Sequence, residues 1–220
     1  MPSADPVSLW WAPLDVADAT DLEALLSPEE RERARHLRDP ADRARFVAAR
    51  GWLRRLLAAE LSCTPGDVRI VVDDRGKPSV AGSDLRYSAS RSAGVALFAT
   101  SWTMEVGVDV EAIRPMADVD AFAARFFSPT EQRALAALPP EERSAASFAC
   151  WTRKEAYVKG TGDGITGALR ALDVWTGRTA PMAVSTWTIH SVELGPDFAG
   201  AVAGATLGPW NPQLPLNLAR

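Results

Sequence analysis

The chain repeats a short series of sequence features at an offset of about one hundred residues, which constrains its fold more than any other feature. Residues 27–31 and 128–133 both begin Ser-Pro and carry a glutamate three residues after the serine, the pattern of a capping box. Two further pairs of segments follow in the same order, 46–52 with 148–154 and 66–72 with 167–172.

These repeats predict two similar α+β halves related by pseudo-twofold symmetry, residues 1–104 and 105–220. The alternative is a single α+β domain with coincidental similarities. Each half is expected to contain a first strand, a capped short helix, a long helix and further strands. The long helices are predicted at 40–61 and 141–159, with Asp39 as the N-cap of the first, and the strands at 7–11, 68–72, 85–88, 95–100, 105–111, 171–175, 187–191 and 200–205. A site in such a pair is expected in the cleft between the halves.

Composition narrows the function classes. The net charge of −4 gives no basic field for nucleic acid. Two cysteines, Cys63 and Cys150, favour free thiols in a reducing compartment. The sequence has no signal-peptide pattern and no apolar stretch long enough to span a bilayer, so we expect a cytoplasmic protein that does not enter membranes.

Two carboxylates lie on one predicted strand. Strand side chains alternate, so Asp109 and Glu111 share a face, while Val108 and Val110 point into the core. Adjacent carboxylates repel each other unless a cation lies between them, and Mg²⁺ is commonly held by such oxygens together with phosphates. The alternative is an edge strand with an exposed acidic face paired with Arg114.

The second informative stretch is Trp-Thr-Arg-Lys-Glu-Ala-Tyr-Val-Lys-Gly, residues 151–160. Trp151, Glu155 and Lys159 recur every four residues and form one row on a helix, with Lys154 beside it. We expect this row to present an aromatic ring, a carboxylate and two ammonium groups to one cleft. The alternative is a solvated helix face with ordinary ion pairs.

Together the two stretches resemble the 4'-phosphopantetheinyl transferase superfamily. Its marks are a Gly-x-Asp-x-Glu strand and a Trp-x-x-Lys-Glu-Ala-x-x-Lys helix about forty residues apart; here they are residues 107–111 and 151–159. The duplicated plan resembles the larger, pseudo-dimeric (Sfp-type) class. Residues 88–92, Ser-Ala-Ser-Arg-Ser, are similar to a segment commonly written Asn-x-Ser-His-Ser. Ser88 replaces the usual Asn and Arg91 the usual His, so a proton-transfer role of that His does not carry over, although Arg91 can still bind phosphate.

The resemblance implies a magnesium-dependent transfer of the phosphopantetheine arm of coenzyme A to a serine of an apo acyl or peptidyl carrier protein. It assigns Mg²⁺, with Mn²⁺ as an alternative, to Asp109, Glu111 and Glu155. Catalytic roles fall to Glu155, Lys154 and Lys159, with Glu155 or a metal-bound water as the base. Coenzyme A is assigned to Arg45, Arg50, Lys77, Ser90, Arg91, Asp109, Lys154 and Lys159.

The partner and oligomeric state follow from the same resemblance. The carrier could be received by the basic side chains between Arg31 and Arg38 or by residues 121–127. Fatty-acid, polyketide and nonribosomal-peptide carriers all remain open, and a monomer is sufficient. A catalytically silent binding module on the same fold and a Mg²⁺-dependent phosphohydrolase are the alternatives.

Overall fold

The computed structural model describes residues 7–164, 167–175, 182–205 and 216–217. The helices are Thr20–Glu23 (α1), Pro28–Arg35 (α2), Pro40–Leu61 (α3), Val119–Phe126 (α4), Pro129–Ala136 (α5) and Pro140–Thr161 (α6), with a 3-10 helix at Gly167–Arg170. The strands are Ser8–Pro13 (β1), Ile70–Val72 (β2), Pro78–Val80 (β3), Arg86–Ser92 (β4), Val95–Ser101 (β5), Val106–Ala112 (β6), Met182–Val184 (β7), Trp187–Val192 (β8), Phe198–Ala205 (β9) and Leu216–Asn217 (β10). Within these ranges, no helix has the length and hydropathy needed to cross a bilayer.

The strands form two four-stranded sheets and one hairpin, so the expected α+β class is confirmed. The first sheet has the order β10-β1-β5-β4, the second β6-β9-β8-β7, and β2 pairs with β3. The chain passes from the first sheet to the second between Ser101 and Val106, close to the proposed boundary at 104/105. One strand departs from that division, because β10 pairs with β1 in parallel and so joins the first sheet.

Both predicted capping boxes are present. The Ser27 hydroxyl accepts the Glu30 amide at 3.2 Å, and the Glu30 carboxylate accepts the Ser27 amide at 3.0 Å. In the second half, Ser128 and Glu131 make the same pair of bonds at 3.1 and 2.7 Å. Asp39 caps α3 as predicted, and the expected long helices are α3 and α6. The reciprocal bonds satisfy amides that otherwise have no partner within the helix.

Each capping glutamate also anchors a cation from the long helix that follows. Arg54 of α3 donates to Glu30 at 2.5 Å and to the carbonyls of Pro65 and Val68 at 2.9 and 3.1 Å. Lys154 of α6 pairs with Glu131 at 2.8 Å and donates to the carbonyls of Leu169 and Leu172. Each half therefore contains its own buried cluster of this kind, which we call a node. In each node, a glutamate of the short helix binds a cation of the long helix, and that cation also binds backbone carbonyls of the segment that follows.

The node explains one wrong strand prediction. Residues 171–175 are not a strand, because their backbone groups are bound by side chains rather than by a neighbouring strand. The Leu172 carbonyl accepts from Lys154, and the Val174 amide donates to Glu131 at 2.7 Å. The corresponding segment of the first half, residues 66–72, forms only the short β2. The similarity between residues 66–72 and 167–172 therefore marks segments that supply backbone carbonyls to the node of each half.

The other strand predictions hold with shifted ends. The largest shift is in β4, which continues to Ser92 instead of ending at Ser88, because β4 pairs with β5 along its whole length. The sequence analysis did not predict α1, α4, β3, β7 or β10.

A shared core joins the two sheets. Val106, Val108 and Val110 of β6 are fully buried and pack with Leu9 of β1 and Leu97 of β5. This confirms that the valine face of the acidic strand points inward. Separate cores lie between α3 and the first sheet and between α4–α6 and the second. The carboxylate face of β6 is thus held at the junction of the halves.

Candidate active site

Serine hydroxyls connect the two halves at the acidic strand. In β4, Ser88, Ser90 and Ser92 lie on one face. The Ser88 hydroxyl accepts the Val108 amide at 3.0 Å, and the Ser92 hydroxyl accepts the Ala112 amide at 3.0 Å. The pairs 88 with 108 and 92 with 112 show that β4 and β6 run in the same direction. Side chains thereby satisfy amides on the edge of β6 that, among the described strands, has no backbone partner.

Two of these serines, Ser90 and Ser92, contact the acidic pair. Ser90 donates to Oδ1 of Asp109 at 2.7 Å, and Ser92 donates to Oε2 of Glu111 at 2.7 Å. Lys159 of α6 places its ammonium 2.6 Å from Oδ1 of Asp109 and 3.0 Å from the Ser90 hydroxyl. Arg114, the partner expected if the acidic face were simply exposed to solvent, lies 4.0 Å from Glu111 and is mostly exposed. The carboxylates therefore face an organised site rather than solvent.

Glycines allow α6 to lie directly on β6. A Cβ atom at Gly107 would lie 1.9 Å from the carbonyl oxygen of Ala156 and 2.4 Å from the amide nitrogen of Gly160. A Cβ atom at Gly160 would lie 2.4 Å from the Trp187 ring. The absence of these atoms lets Glu155 approach the acidic pair, which gives the glycine of the first motif a physical reason.

Glu155 is strained electrostatically by this approach. Burial raises the pKa of its carboxyl, and the negative charges of Asp109 and Glu111 raise it further, while Lys159 opposes them. Oε1 of Glu155 and Oδ2 of Asp109 are buried and accept no hydrogen bond from the described part of the chain. Buried oxygens of this kind normally have partners. A bound cation would supply one.

The carboxylates fit a metal ion in chemistry but do not form a closed cage. Asp109, Glu111 and Glu155 provide hard oxygen donors of the kind that Mg²⁺ binds together with phosphates and water. Within the described ranges, no three acidic, histidine or cysteine side chains already surround a single point. An open arrangement suits a metal that arrives with a phosphate ligand.

A cavity of about 270 Å³ adjoins this site. It lies between the β3–β4 region of the first half and the end of α6, and its lining includes Lys77, Ser88, Glu155 and Lys159. Lys77 crosses between the halves, because its ammonium contacts Glu105 at 2.5 Å and also the Gly160 carbonyl. A larger hollow of about 530 Å³, around Ile113 and Phe198, contains none of the predicted site residues.

The predicted arginines lie on the first-half side of the junction. Arg91 is exposed and stacks over the Phe46 ring at 5.9 Å. Arg45 is paired with Asp15 through two bonds of 2.7 and 3.1 Å, and Arg50 is paired with Glu30. Arg45 and Arg50 are thus already engaged with carboxylates and keep 31% and 26% of their side chains exposed, whereas Arg91 lies over the Phe46 ring in an exposed position.

The structure does not bring every predicted side chain to the cleft. Lys154 was expected to face it, yet its side chain has no exposed surface and is paired with Glu131 inside the second half. Trp151 likewise packs against Phe122 and Phe126 of α4, with ring centroids 5.3 and 4.9 Å away. Both expectations were wrong, because α5 and the segment at Leu169 and Leu172 cover Lys154, while α4 covers Trp151.

Two side chains that the sequence analysis did not select also contribute. Ser92 binds Glu111, and Glu105 holds both Lys77 and Arg86. The alternation of serine at positions 88, 90 and 92 was a signal for the first. It was missed because the predicted strand ended at Ser88, so Ser90 and Ser92 were not placed on one strand face with it.

Comparison with known proteins decides the family. The chain is 39% identical, over an alignment 221 positions long, to the 4'-phosphopantetheinyl transferase HetI of Nostoc sp.. The alignment covers 96% of this chain and 92% of that protein. The chain belongs to the 4'-phosphopantetheinyl transferase superfamily. The superfamily's sequence profile matches residues 105–201, a range that includes both motifs. The chain is also 24% identical over 200 residues to the 4'-phosphopantetheinyl transferase Sfp of Bacillus subtilis, with 88% of each protein covered. The AcpT protein of Salmonella typhimurium, another transferase by name, is 38% identical over 119 residues, 53% of this chain and 60% of AcpT.

Proposed function

We propose that this protein transfers the 4'-phosphopantetheine arm of coenzyme A to the serine of an apo carrier protein and releases adenosine 3',5'-bisphosphate. The observation that carries the proposal is the junction between β4, β6 and α6, where three carboxylates and Lys159 meet beside a cavity. The family membership supports the same activity.

In the proposed reaction the carrier serine oxygen forms a bond to the phosphorus next to the pantetheine arm. The bond from that phosphorus to the bridging oxygen breaks, and its electron pair leaves with the nucleotide. The serine proton must be accepted, because a neutral hydroxyl is a poor nucleophile. Glu155, directly or through a metal-bound water, is the group we assign to this proton, because it is the carboxylate of α6 that lies at the acidic pair and lines the cavity.

The remaining groups bind and orient the reactants. Lys159 lies at the acidic pair with about a third of its side chain exposed, so it can approach the pyrophosphate. Lys77 and Ser90 lie at the same junction, and Arg91 presents its charge from the first half. Asp109, Glu111 and Glu155 would hold Mg²⁺ or Mn²⁺, which neutralises phosphate charge when bound. Lys154 is not part of this set.

Arg45 and Arg50 are assigned to the nucleotide end only if their carboxylate partners release them. Arg45 is the better candidate because Asp15, its partner, is 61% exposed, whereas Glu30 is buried. One copy of the chain supplies both sides of the junction, so a monomer is sufficient. A reaction between coenzyme A and carrier proteins also favours a cytoplasmic location.

The carrier would approach either α2 or α4. On α2, Arg31 is bound to the Ala24 carbonyl and Arg35 to Glu32, whereas Arg38, just beyond the helix, is exposed. An Arg38→Glu variant should therefore raise the KM for the carrier if the basic route is used. An unchanged KM would favour the α4 route around residues 121–127.

Mass spectrometry of an apo carrier incubated with the protein, coenzyme A and Mg²⁺ tests the proposal. We expect the carrier to gain one phosphopantetheine arm, and Glu111→Ala to abolish the gain. Release of free phosphopantetheine with an unmodified carrier would indicate a phosphohydrolase. Tight binding of coenzyme A with no modification of fatty-acid, polyketide or nonribosomal-peptide carriers would indicate a silent binding module.

A further inference from the structure

The Ser92 hydroxyl is fixed from two sides. Its oxygen accepts the Ala112 amide at 3.0 Å, so its proton must point elsewhere, and Oε2 of Glu111 lies 2.7 Å away. The backbone of Ser92 is held by pairing with Val95 of β5, which fixes the direction of the side chain. The hydroxyl therefore has one orientation, and in that orientation it donates to the carboxylate.

The bond constrains Glu111 more than its other surroundings do. Glu111 lies near the end of β6, its side chain is 28% exposed, and Arg114 is 4.0 Å away. A carboxylate with that freedom would sample several rotamers, and restricting it to one of them costs conformational entropy. With Oε2 occupied by Ser92, Oε1 is the oxygen left to face the junction.

We infer that Ser92 is a positioning residue that orients Glu111 for metal binding. The inference rests on the proposed function, because it assigns Glu111 to the metal. Hydrogen-bonding partners of metal ligands typically contribute a factor of about 10–100 to metal affinity. Ser90 makes a comparable bond to Asp109, but there Lys159 shares the same oxygen, so Ser92 is the cleaner case.

Ser88 provides a matched control on the same strand. Its hydroxyl accepts the Val108 amide at 3.0 Å, as Ser92 accepts that of Ala112, but Ser88 contacts the backbone of β6 there and not a carboxylate. Ser88→Ala removes a bond between the halves at a more deeply buried position. If loosening of the junction were the only effect, this variant would weaken metal binding at least as much as Ser92→Ala.

The test measures binding of Mn²⁺ in the presence of coenzyme A by electron paramagnetic resonance, without a carrier. We expect Ser92→Ala to weaken Mn²⁺ binding about 10-fold, Ser92→Thr to restore it, and Ser88→Ala to leave it within about twofold of wild type. Circular dichroism checks the fold of each variant. If Ser92→Ala does not fold, Ser92→Cys, which retains the volume with a weak donor, is compared with Ser92→Thr.

Three results would overturn the inference. Equal Mn²⁺ affinity in wild type and Ser92→Ala would show that Glu111 needs no positioning. Equal weakening by Ser88→Ala would show a purely structural effect. Failure of the wild-type protein to bind Mn²⁺ with coenzyme A would overturn the proposed metal centre itself, and the positioning role with it.

Discussion

Glu155 occupies an environment that is unfavourable for an ionised carboxylate. It is buried, one of its oxygens has no hydrogen-bond partner among the residues that the structure describes, and two other carboxylates lie close enough to raise its pKa. Such an arrangement costs stability in the free protein and gains it when a cation binds. Perturbed carboxyl groups of this kind are typical of functional sites.

Replacing Glu155 should therefore separate stability from activity. We expect Glu155→Gln to reduce kcat/KM for carrier modification at least ~100-fold, the usual scale for loss of a general base. The metal-free variant should melt at the same temperature as wild type or higher, because a buried like charge is removed. The exposed Glu142 of the same helix gives the control, Glu142→Gln. A large fall in melting temperature for Glu155→Gln alone would contradict this view of the site.

Lys154 adjoins Glu155 in sequence, but its side chain is buried inside the second half. Its ammonium satisfies Glu131 and two loop carbonyls, with no surface exposed. Removing one partner of a buried ion pair leaves an uncompensated charge, at a cost of about 3–5 kcal/mol.

We therefore expect Lys154→Met to lower the free energy of unfolding by roughly that amount, measured by urea titration. The KM of the remaining folded protein for coenzyme A should be unchanged, and the double variant Lys154→Met with Glu131→Gln should recover part of the loss. Lys159→Met gives the contrast in substrate binding, because it should raise the KM for coenzyme A. It should also lower stability, since Asp109 is left buried without its cation. A raised KM in Lys154→Met at full stability would return Lys154 to the active site.

At the scale of elements, the contact between α6 and β6 depends on Gly107. A single methyl group there would meet the Ala156 carbonyl, part of the helix backbone, which cannot rotate away. We expect Gly107→Ala to destabilise the protein by about 1–3 kcal/mol or more and to lower kcat by shifting Glu155 away from the acidic pair. Gly66→Ala is the control, because a Cβ atom there would have only the Thr64 hydroxyl within 4 Å, at 3.9 Å. Equal melting temperatures for the two variants would contradict the proposed packing.

The contact between α2 and α3 gives a pH-dependent contribution. Burial alone would raise the pKa of Glu30, but hydrogen bonds from Arg54 and the Ser27 amide, together with Arg50, hold it below the ordinary value of 4.5. A carboxyl with a lowered folded-state pKa stabilises the protein above its unfolded pKa, and this contribution is lost as the pH falls through the folded value.

Unfolding measured between pH 7 and pH 3 should therefore show a steeper loss of stability below about pH 4.5 in wild type than in Glu30→Gln. The variant will be less stable at pH 7, and the two curves should converge in acid. Glu32→Gln, which removes an exposed carboxylate of the same helix, should keep the wild-type slope. Parallel curves for wild type and Glu30→Gln would contradict the ion-pair account.

At the scale of the whole molecule, the sequence predicted local structure better than contacts between distant segments. Capping boxes, the long helices and the inward valines of β6 follow from short-range rules and were confirmed. The node at Lys154 was not predicted, because its partners are Glu131 and the loop at Leu169 and Leu172, and no spacing rule links them. The run of β4 alongside β6 was also not predicted, since serine hydroxyls rather than strand hydrogen bonds join them.

The most direct test of this account is a crystal structure with coenzyme A and Mn²⁺, using the anomalous signal of manganese. We predict one metal peak at the junction of the halves, in contact with carboxylates of Asp109, Glu111 and Glu155 and with the coenzyme A pyrophosphate. A metal peak elsewhere, or a pyrophosphate bound away from these three side chains, would contradict the assignment of the active site.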